Sequence, residues 1–467
     1  MPTGTKITDR QSAIDFLFSR INYEQTSKIP YRSAEFQLDR MRQLLDKLGN
    51  PHKGLRVIHV AGTKGKGSCS AMISASLQAN GHRAGLYSSP HLEKLEERFD
   101  VAGRPCTSDE LVDLIQTVQP LVEEMDSCDQ RPTFFEVTTA LAFLHFAQEK
   151  VDFAVMEVGL GGRLDSTNVC EPVVTVITSI SFDHMQELGN TLPEIAIEKA
   201  GTIKPGIPVV IGVTEEESLA AIRRVALENK APTFEIGRDF GFEYLGASLD
   251  EAGLAAEFNY WEKETGALGS FEKIRTSMAG KHQASNAAVA VQTMSQLKLM
   301  GFRMDNTGIR EGVSKARCVA RIEVMNQRPL AIVDSAHNPA STRALVDVIN
   351  EALPGRGGVL VFAANRDKDV PNMLRDLLPT FSKCVLTTIE NNPRGMSVER
   401  LAEDVSAIQR EIGDLNIDVF TAKNAAAAWE KAKQIAGDDD FVCIAGSFFL
   451  AAELRALVGQ IESPRQT

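Results

Sequence analysis

Short β-branched runs alternate with longer helical patterns along this chain, and this alternation restricts its fold more than any other feature. The first set of runs lies at 56–62, 82–89, 151–159, 172–180 and 207–213, with predicted helices at 68–79 and 133–149. A second set lies at 330–338, 357–365, 383–390, 418–422 and 440–447. Apolar strands separated by helices are typical of parallel sheets covered on both faces, so the sequence predicts an α/β fold with two such units.

The rhythm between the two sets indicates where the domains divide. Residues 234–278 read as short alternating segments separated by Gly, which indicates an antiparallel appendage. The α/β pattern restarts after a predicted helix at 284–300. We therefore predict an N-terminal domain at 1–310 with a mostly parallel sheet and a smaller C-terminal α/β domain at 311–467. The length of 467 residues suits two or three domains.

Composition excludes several classes of protein. The chain has 50 Lys and Arg against 62 Asp and Glu, a formal net charge of −12. This balance argues against a nucleic-acid partner but is compatible with a local basic pocket for a small anion. The seven cysteines have no metal-ligand spacing, which favours free thiols in a reducing compartment. Because we find neither an apolar run long enough to span a bilayer nor a signal-peptide pattern, we expect a cytoplasmic protein without membrane contact.

A candidate phosphate loop lies at 57–68, with the sequence VIHVAGTKGKGS. A predicted strand, a Gly-rich turn and the start of a helix follow one another there, which lets backbone N–H groups and the helix dipole meet an anion. Lys66 is then suited to the β- and γ-phosphates and Ser68 to Mg²⁺, although Gly67 separates them, unlike in the common loop. The residues alone also fit a glycine turn without a ligand, and they do not distinguish ATP from GTP.

The GKGS ending of this loop resembles the Mur ligase superfamily of ATP-dependent amide ligases. Further motifs, spread over nearly the whole chain, resemble its folylpolyglutamate synthase and dihydrofolate synthase branch. They are YSSPHL at 87–92, TFFEVTTALAF at 133–143, MEVGLGGRLDSTN at 156–168, the block at 178–206, GKHQASNAAVA at 280–290 and DSAHNPAS at 334–341. The resemblance implies an N-terminal P-loop domain of the Mur-ligase type and a smaller Rossmann-like C-terminal glutamate-ligase domain, with ATP between them.

The resemblance also implies a reaction. ATP phosphorylates the carboxylate of a folate, and the amine of L-glutamate attacks the acyl phosphate. The acceptor is tetrahydrofolate, dihydropteroate or both, and relatives of this branch suggest a monomer. Two alternatives stay open: a Mur-type ligase that adds an amino acid to a peptidoglycan precursor, and a nucleotide-binding module without catalytic activity.

Site residues follow from the same resemblance. For two Mg²⁺ ions it implies Ser68, Ser89, Glu157 and His184. Glu157 and His184 each follow a predicted strand, where open parallel sheets bind ligands. On the residues alone, both side chains also fit ordinary loop positions, and Ser89 fits a turn before Pro90. For ATP the resemblance implies Thr63, Lys64, Gly65, Lys66, Gly67, Ser68, Asn286, Arg321, Asp334 and His337.

The implied catalytic residues are Lys66, His184, Lys199, Arg321 and His337. In this family, the lysine at the position of Lys199 carries a carbamate derived from CO₂. Carbamate formation requires a neutral amine, so we expect a shielded lysine whose pKa is lowered. Ala320 stands before Arg321, where the family commonly has Gly.

Two residues are implied in binding of the pterin-bearing substrate. Asp165 occupies a position that contacts this substrate in some members, and the ring of Phe135 could stack on a pterin. The pair Phe134 and Phe135 also fits the apolar core at the start of a helix. Residues 92–106 correspond to a loop that closes over the substrate in the family.

Overall fold

The computed structural model describes residues 6–24, 38–251, 253–390, 392–413 and 415–459. The chain divides into two compact units. The first takes the chain up to Glu243 together with Asn259–Ile274 and Ser285–Ala316, and the second takes Tyr244–Phe258, Arg275–Ala284 and the chain from Arg317 onward. The assignment of functional domains to 1–310 and 311–467 stays a prediction.

An eight-stranded, mostly parallel sheet forms the centre of the first unit. Its order is β4-β3-β2-β5-β1-β6-β7-β8, and β1 pairs in parallel with both β5 and β6. The predicted α/β class is confirmed for this unit. The strands are β1 (Val57–Ala61), β2 (Ala84–Tyr87), β3 (Phe99–Val101), β4 (Arg104–Pro105), β5 (Phe153–Glu157), β6 (Pro172–Ile177), β7 (Val209–Ile211) and β8 (Thr233–Glu235).

Among the described residues between 6 and 315, ten segments form α-helices. Helix α5 is buried along nearly its whole length, which explains why its sequence is apolar on every side. Thr133 caps it and accepts a hydrogen bond from the Glu136 amide. The helices are α1 (Arg10–Phe18), α2 (Leu38–Lys47), α3 (Lys66–Ala79), α4 (Ser108–Ser127), α5 (Phe134–Gln148), α6 (Met185–Leu188), α7 (Leu192–Ala200), α8 (Glu216–Glu228), α9 (Lys281–Leu299) and α10 (Asn306–Lys315).

A separate three-stranded sheet corresponds to the appendage predicted at 234–278. Its strands are β9 (Phe240–Asp250), β10 (Gly253–Glu262) and β11 (Phe271–Thr276), in the order β11-β10-β9. Residues of this sheet are divided between the two units.

The second unit contains a six-stranded sheet in the order β12-β13-β17-β14-β15-β16. Strand β12 is antiparallel to β13, and the remaining pairs are parallel, which confirms a C-terminal α/β domain. The strands are β12 (Glu323–Gln327), β13 (Leu330–Val333), β14 (Gly358–Phe362), β15 (Lys383–Leu386), β16 (Asp418–Thr421) and β17 (Phe441–Ala445). The helices are α11 (Pro339–Ala352), α12 (Val370–Leu377), α13 (Val398–Ile412), α14 (Ala425–Ile435) and α15 (Phe448–Gly459).

Residues 92–106 differ from the expected loop. They contain a 3₁₀ turn at Leu95–Arg98 followed by β3 and β4, and β3 pairs antiparallel with β2. These strands have three and two residues, too few for an alternating pattern to appear in the sequence. Pairing of β3 with β2, and of β4 with β3, makes them part of the sheet.

Candidate active site

Four neighbouring strands of the first sheet run in the same direction, so their carboxyl ends meet along one edge. Strand β5 pairs in parallel with β2 and β1, and β1 pairs in parallel with β6. Several predicted site residues follow these strands: Ser89 after β2, Glu157 at the end of β5, the loop 62–68 after β1, and His184 after β6. Edges of this kind are where open α/β sheets bind ligands.

The predicted phosphate loop is tied to the segment that follows β6. The Lys64 carbonyl accepts hydrogen bonds from Thr178 Oγ1 at 2.7 Å and from Ser179 Oγ at 2.9 Å. The Thr63 amide donates to the Ser179 carbonyl at 2.7 Å. Gly62 has a φ of 146°, and a Cβ atom there would collide with Thr178 Oγ1. The close approach therefore requires glycine at this position.

Lys66 begins α3, and its side chain folds back over the loop. Its Nζ donates to the Gly62 carbonyl at 3.2 Å. Burial lowers the pKa of this ammonium group, and the charge of Glu157 opposes that shift. Ser68 lies in the first turn of the same helix and is buried. A cation enclosed at the start of a helix is suited to binding phosphate groups.

Glu157 is a buried carboxylate at the edge, with 4% of its surface exposed. It lies opposite Val60 of β1, one residue from the end of that strand. Its Oε2 accepts a hydrogen bond from the Ser89 amide at 3.3 Å. Two of the predicted metal-binding residues, Ser89 and Glu157, are therefore in direct contact.

His184 lies at the start of α6 with a left-handed backbone, at a φ of 48°. About half of its side chain (51%) is exposed, and Nδ1 is 4.0 Å from Glu187 Oε2. Burial lowers the pKa of the imidazole, while Asp183 and Glu187 oppose the shift. The ring is therefore mainly neutral at neutral pH, the form in which imidazole binds metals.

Lys199 lies in α7, the helix predicted from the EKAG segment, and is 4% exposed. Burial, followed by the positive charge of Lys66, lowers the pKa of its amine to about 7. The charges of Lys64, Asp183 and Asp165 also act on this amine. The structure therefore contains the shielded lysine with a lowered pKa that the sequence led us to expect.

Asn286, in α9, packs against the phosphate loop. Gly65 has a φ of 83°, and a Cβ atom there would collide with the Asn286 side-chain oxygen. Asn286, implied in ATP binding, and the predicted phosphate loop are thus neighbours within the first unit.

The two predicted substrate residues are engaged within the protein. Asp165 is buried, and its carboxylate accepts from the Leu160 amide at 2.8 Å and from the Thr167 amide at 3.0 Å. Burial raises its pKa. The ring of Phe135 lies where a Cβ atom on Gly159 would be, at 2.5 Å. Both side chains therefore shape the loop that follows Glu157, whereas Phe134 belongs to the core.

The predicted residues of the second unit lie around the end of β13. The Asp334 carboxylate accepts from the Ile322 amide at 2.8 Å and from the Ala336 amide at 2.7 Å. Ser335 is hydrogen-bonded to the Arg321 guanidinium through its hydroxyl and lies 2.9 Å from His337 Nδ1 through its carbonyl. Arg321, Asp334 and His337 are thus brought together in this unit.

Ala320 has a φ of 52°, in the left-handed region. Glycine adopts this conformation without steric cost, which explains physically why it suits the position. The Ala320 carbonyl accepts from the Ser335 amide at 3.0 Å, so the backbone beside Arg321 keeps a defined path.

The donor set at the edge fits magnesium bound together with a nucleotide. Among the described residues, no three His, Cys, Asp or Glu side chains form a group that could hold a metal ion. Mg²⁺ is usually held by one or two carboxylates together with substrate phosphates and water, rather than by a closed protein cage. A buried carboxylate beside a phosphate loop and serine hydroxyls is such an open set.

Three polar residues at the edge were not predicted individually. Thr178 and Ser179 hold the phosphate loop, and Asp183 contacts Lys64. Their signal was present in the segment TSISFDH, which directly follows β6. Which loop these side chains contact depends on the order of the strands, and the segment alone does not give that order.

Two family models match this chain. The Mur ligase middle domain matches residues 60–294, and the Mur ligase glutamate ligase domain matches residues 320–448. These matches and the described site define a ligase of the Mur class. The chain belongs, within that class, to the family of dihydrofolate synthases and folylpolyglutamate synthases, as the following relatives show.

The Bacillus subtilis dihydrofolate synthase/folylpolyglutamate synthase is 37% identical over 421 residues, which are 90% of this chain and 94% of that protein. The structure of Mycobacterium tuberculosis folylpolyglutamate synthase complexed with ADP is similar with a TM-score of 0.82 at 31% identity, covering 96% of this chain and 98% of that one. Escherichia coli FolC in complex with DHPP and ADP is similar with a TM-score of 0.80 at 27% identity, covering 99% and 100% of the two chains.

Within the described ranges, no helix is both long enough and apolar enough to cross a membrane.

Proposed function

We propose that this protein is an ATP-dependent ligase that adds L-glutamate to a folate, with tetrahydrofolate, dihydropteroate or both as the acceptor. The observation that carries the proposal is the phosphate loop beside a buried carboxylate, Glu157, at one edge of a parallel sheet. Membership of the family, in which relatives are named for these two activities, supports the same substrates.

The reaction has two steps. A carboxylate oxygen of the folate attacks the γ-phosphorus of ATP, which gives an acyl phosphate and ADP. The glutamate amine then attacks the acyl carbon, an amide bond forms, and inorganic phosphate leaves with the bonding electrons of the C–O bond. Lys66 neutralises charge on the β- and γ-phosphates, and Arg321 and His337 are proposed as further catalytic residues.

Magnesium would be held by Ser68, Ser89, Glu157 and His184. When bound, Mg²⁺ would neutralise negative charge on the phosphates, which lets the anionic substrates come together at the site. The contact between the Ser89 amide and Glu157 orients this carboxylate in the protein itself. Asn286, Asp334 and the loop from Thr63 to Ser68 complete the proposed nucleotide contacts.

Carbamylation of Lys199 is part of the proposal. A neutral amine attacks CO₂, and loss of one proton gives the carbamate anion. Burial and a pKa of about 7 make the neutral amine available at physiological pH. The resulting anion would place a buried negative charge near Lys66.

We further propose a monomer that acts in the cytoplasm, with ATP, L-glutamate and the folate as its small-molecule partners. All seven cysteines, which lie in the described ranges, are free thiols, as expected in a reducing compartment.

The experiment is ADP release by the purified protein with ATP, Mg²⁺ and L-glutamate. Dihydropteroate, tetrahydrofolate and a peptidoglycan-precursor nucleotide are compared as acceptors in parallel. Turnover with one or both pterins supports the proposal and assigns the acceptor. Turnover with the precursor alone would move the protein to the cell-wall ligases, and nucleotide binding without turnover would indicate a non-catalytic module.

A further inference from the structure

The Asp183 carboxylate connects the phosphate loop with His184, the next residue in the SFDH segment. Asp183 Oδ2 accepts a hydrogen bond from Lys64 Nζ at 2.7 Å. Its other oxygen, Oδ1, accepts from the backbone amide of His184 at 3.1 Å. Asp183 therefore bridges a side chain of the phosphate loop and the backbone of a predicted metal-binding residue.

Lys64 is held at both its backbone and its side chain. Its amide donates to Ser179 Oγ at 3.0 Å, and its carbonyl accepts from Thr178 and Ser179. With the backbone fixed in this way, the ammonium group lies on Asp183, and 49% of the Lys64 side chain and 35% of the Asp183 side chain are exposed. The ion pair is thus anchored at one end by a backbone that cannot move freely.

His184 needs support because of its backbone conformation. Its φ of 48° lies in the left-handed region, which is sterically unfavourable for a residue other than glycine. The hydrogen bond from its amide to Asp183 acts on the backbone that carries the imidazole. Loss of this acceptor would release the conformation that sets the direction of the ring.

We propose that Asp183 is a positioning residue that couples the phosphate loop to His184, and that the Lys64 side chain acts through this ion pair rather than as a phosphate ligand. The Lys64 backbone remains part of the phosphate loop. The kinetic part of this inference rests on the proposed function, whereas its nucleotide-binding part does not.

A double-mutant cycle separates these roles. The variants are Lys64→Met, Asp183→Asn and the double variant, and the measurements are ADP affinity by calorimetry with Mg²⁺ and kcat for ADP release. Each single variant is expected to weaken both quantities about 3- to 10-fold, and the double variant is expected to stay within about twofold of the singles, because coupled residues are not additive. Lys64→Arg retains a charge for Asp183 and should restore most of both quantities.

The control is Lys315→Met, which removes a similar pair with Glu311 on the surface of α10, at 2.6 Å. It should change neither quantity. All variants should unfold within about 2 °C of the parent, because half-exposed ion pairs contribute little to stability.

Other outcomes would overturn the inference. Weaker ADP binding in Lys64→Met with unchanged binding in Asp183→Asn would make Lys64 a direct phosphate ligand. Effects that multiply in the double variant, or no effect in either single variant, would show that the pair does not couple the two loops. If the parent protein binds ADP but turns over no folate, the ADP cycle still decides the inference while the proposed function fails.

Discussion

Asn286 fills the space in which a side chain on Gly65 would lie. A Cβ atom at Gly65 would collide with the Asn286 side-chain oxygen, and the φ of Gly65 is 83°. Helix α9 thus contacts the phosphate loop, although it lies outside the β1–loop–α3 segment. The strand–turn–helix pattern alone does not require this contact.

Substitution of Gly65 is therefore expected to be more harmful than substitution of a comparable glycine. Gly81 has a φ of 85° and no atom within 4 Å of its virtual Cβ. Gly81→Ala should cost about 1 kcal/mol from the backbone alone, whereas Gly65→Ala should cost about 1–3 kcal/mol more because of the collision. Thermal unfolding and ADP titration measure both effects.

The collision itself has a direct test. Asn286→Ala in the Gly65→Ala background should restore part of the lost stability, since it removes the colliding oxygen. Equal stability of the Gly65→Ala and Gly81→Ala variants would contradict the contact.

Asp165 is expected to act mainly on the loop that follows Glu157. Asp165→Ala leaves the amides of Leu160 and Thr167 without their acceptor in a buried place. Stability without any ligand should fall by about 2 kcal/mol. The exposed Asp113 is a matched control, and Asp113→Ala should change stability little. Unchanged stability of Asp165→Ala together with weaker folate binding would make Asp165 a substrate contact alone.

Lys199 gives a prediction about CO₂. Its pKa of about 7 means that the reactive neutral amine predominates above pH 7 and declines below it. Turnover at pH 8 should fall in CO₂-depleted buffer and recover with bicarbonate, and recovery should be smaller at pH 6. Lys199→Ala should be nearly inactive, insensitive to bicarbonate and partly restored by a short carboxylic acid such as acetate. A parent enzyme indifferent to CO₂ would argue against the carbamate.

His59 gives a prediction about stability and pH. It is fully buried in β1 beside Thr167 Oγ1, at 2.8 Å, and burial lowers its pKa from 6.5 to about 3. Between these values the unfolded chain binds a proton that the folded protein does not, so stability is lost as pH falls from 6.5 towards 3. The loss approaches about 1.4 kcal/mol per pH unit.

His59→Gln removes this titration, so the difference in stability between the parent and the variant measures the contribution of His59. Urea unfolding at pH 7.5 and pH 5 should show the stability of the parent falling by about 2 kcal/mol more than that of the variant. Parallel losses in the two proteins would place the pH sensitivity elsewhere.

Much of the fold could be predicted because each strand carries its own signal. The β-branched runs at 56–62 and 151–159 became β1 and β5, and their helices followed as expected. Strands β3 and β4 were not predicted because two or three residues carry no periodic pattern. Residues at the carboxyl ends of strands could be assigned to one edge, because the carboxyl ends of neighbouring parallel strands meet at the same edge of a sheet.

The contacts within the site could not be predicted from the sequence, because they depend on the order of the strands in the sheet. Asp165 and Phe135 are engaged with the loop after Glu157, a contact that neither the resemblance nor the residues alone indicated. Asp183 contacts Lys64 across 119 positions of the chain. No local pattern indicates which of several acidic residues would meet this lysine.

Lys66 and Glu157 carry the central prediction about catalysis. Lys66→Ala removes the cation at the phosphate loop, and Glu157→Gln removes the buried negative charge proposed to hold Mg²⁺. Each should lower turnover by about 100-fold or more, because both act where charge is transferred. The Lys315→Met variant, on the surface of α10, should keep the activity of the parent and controls for handling of the protein.

The most direct test of the account is mass spectrometry of the product after incubation with ATP, Mg²⁺, L-glutamate and either dihydropteroate or tetrahydrofolate. We expect the pterin substrate to gain a glutamyl residue with stoichiometric formation of ADP, and Lys66→Ala and Glu157→Gln to yield almost no product. ADP formed without a glutamylated pterin, or product made equally well by these variants, would contradict it.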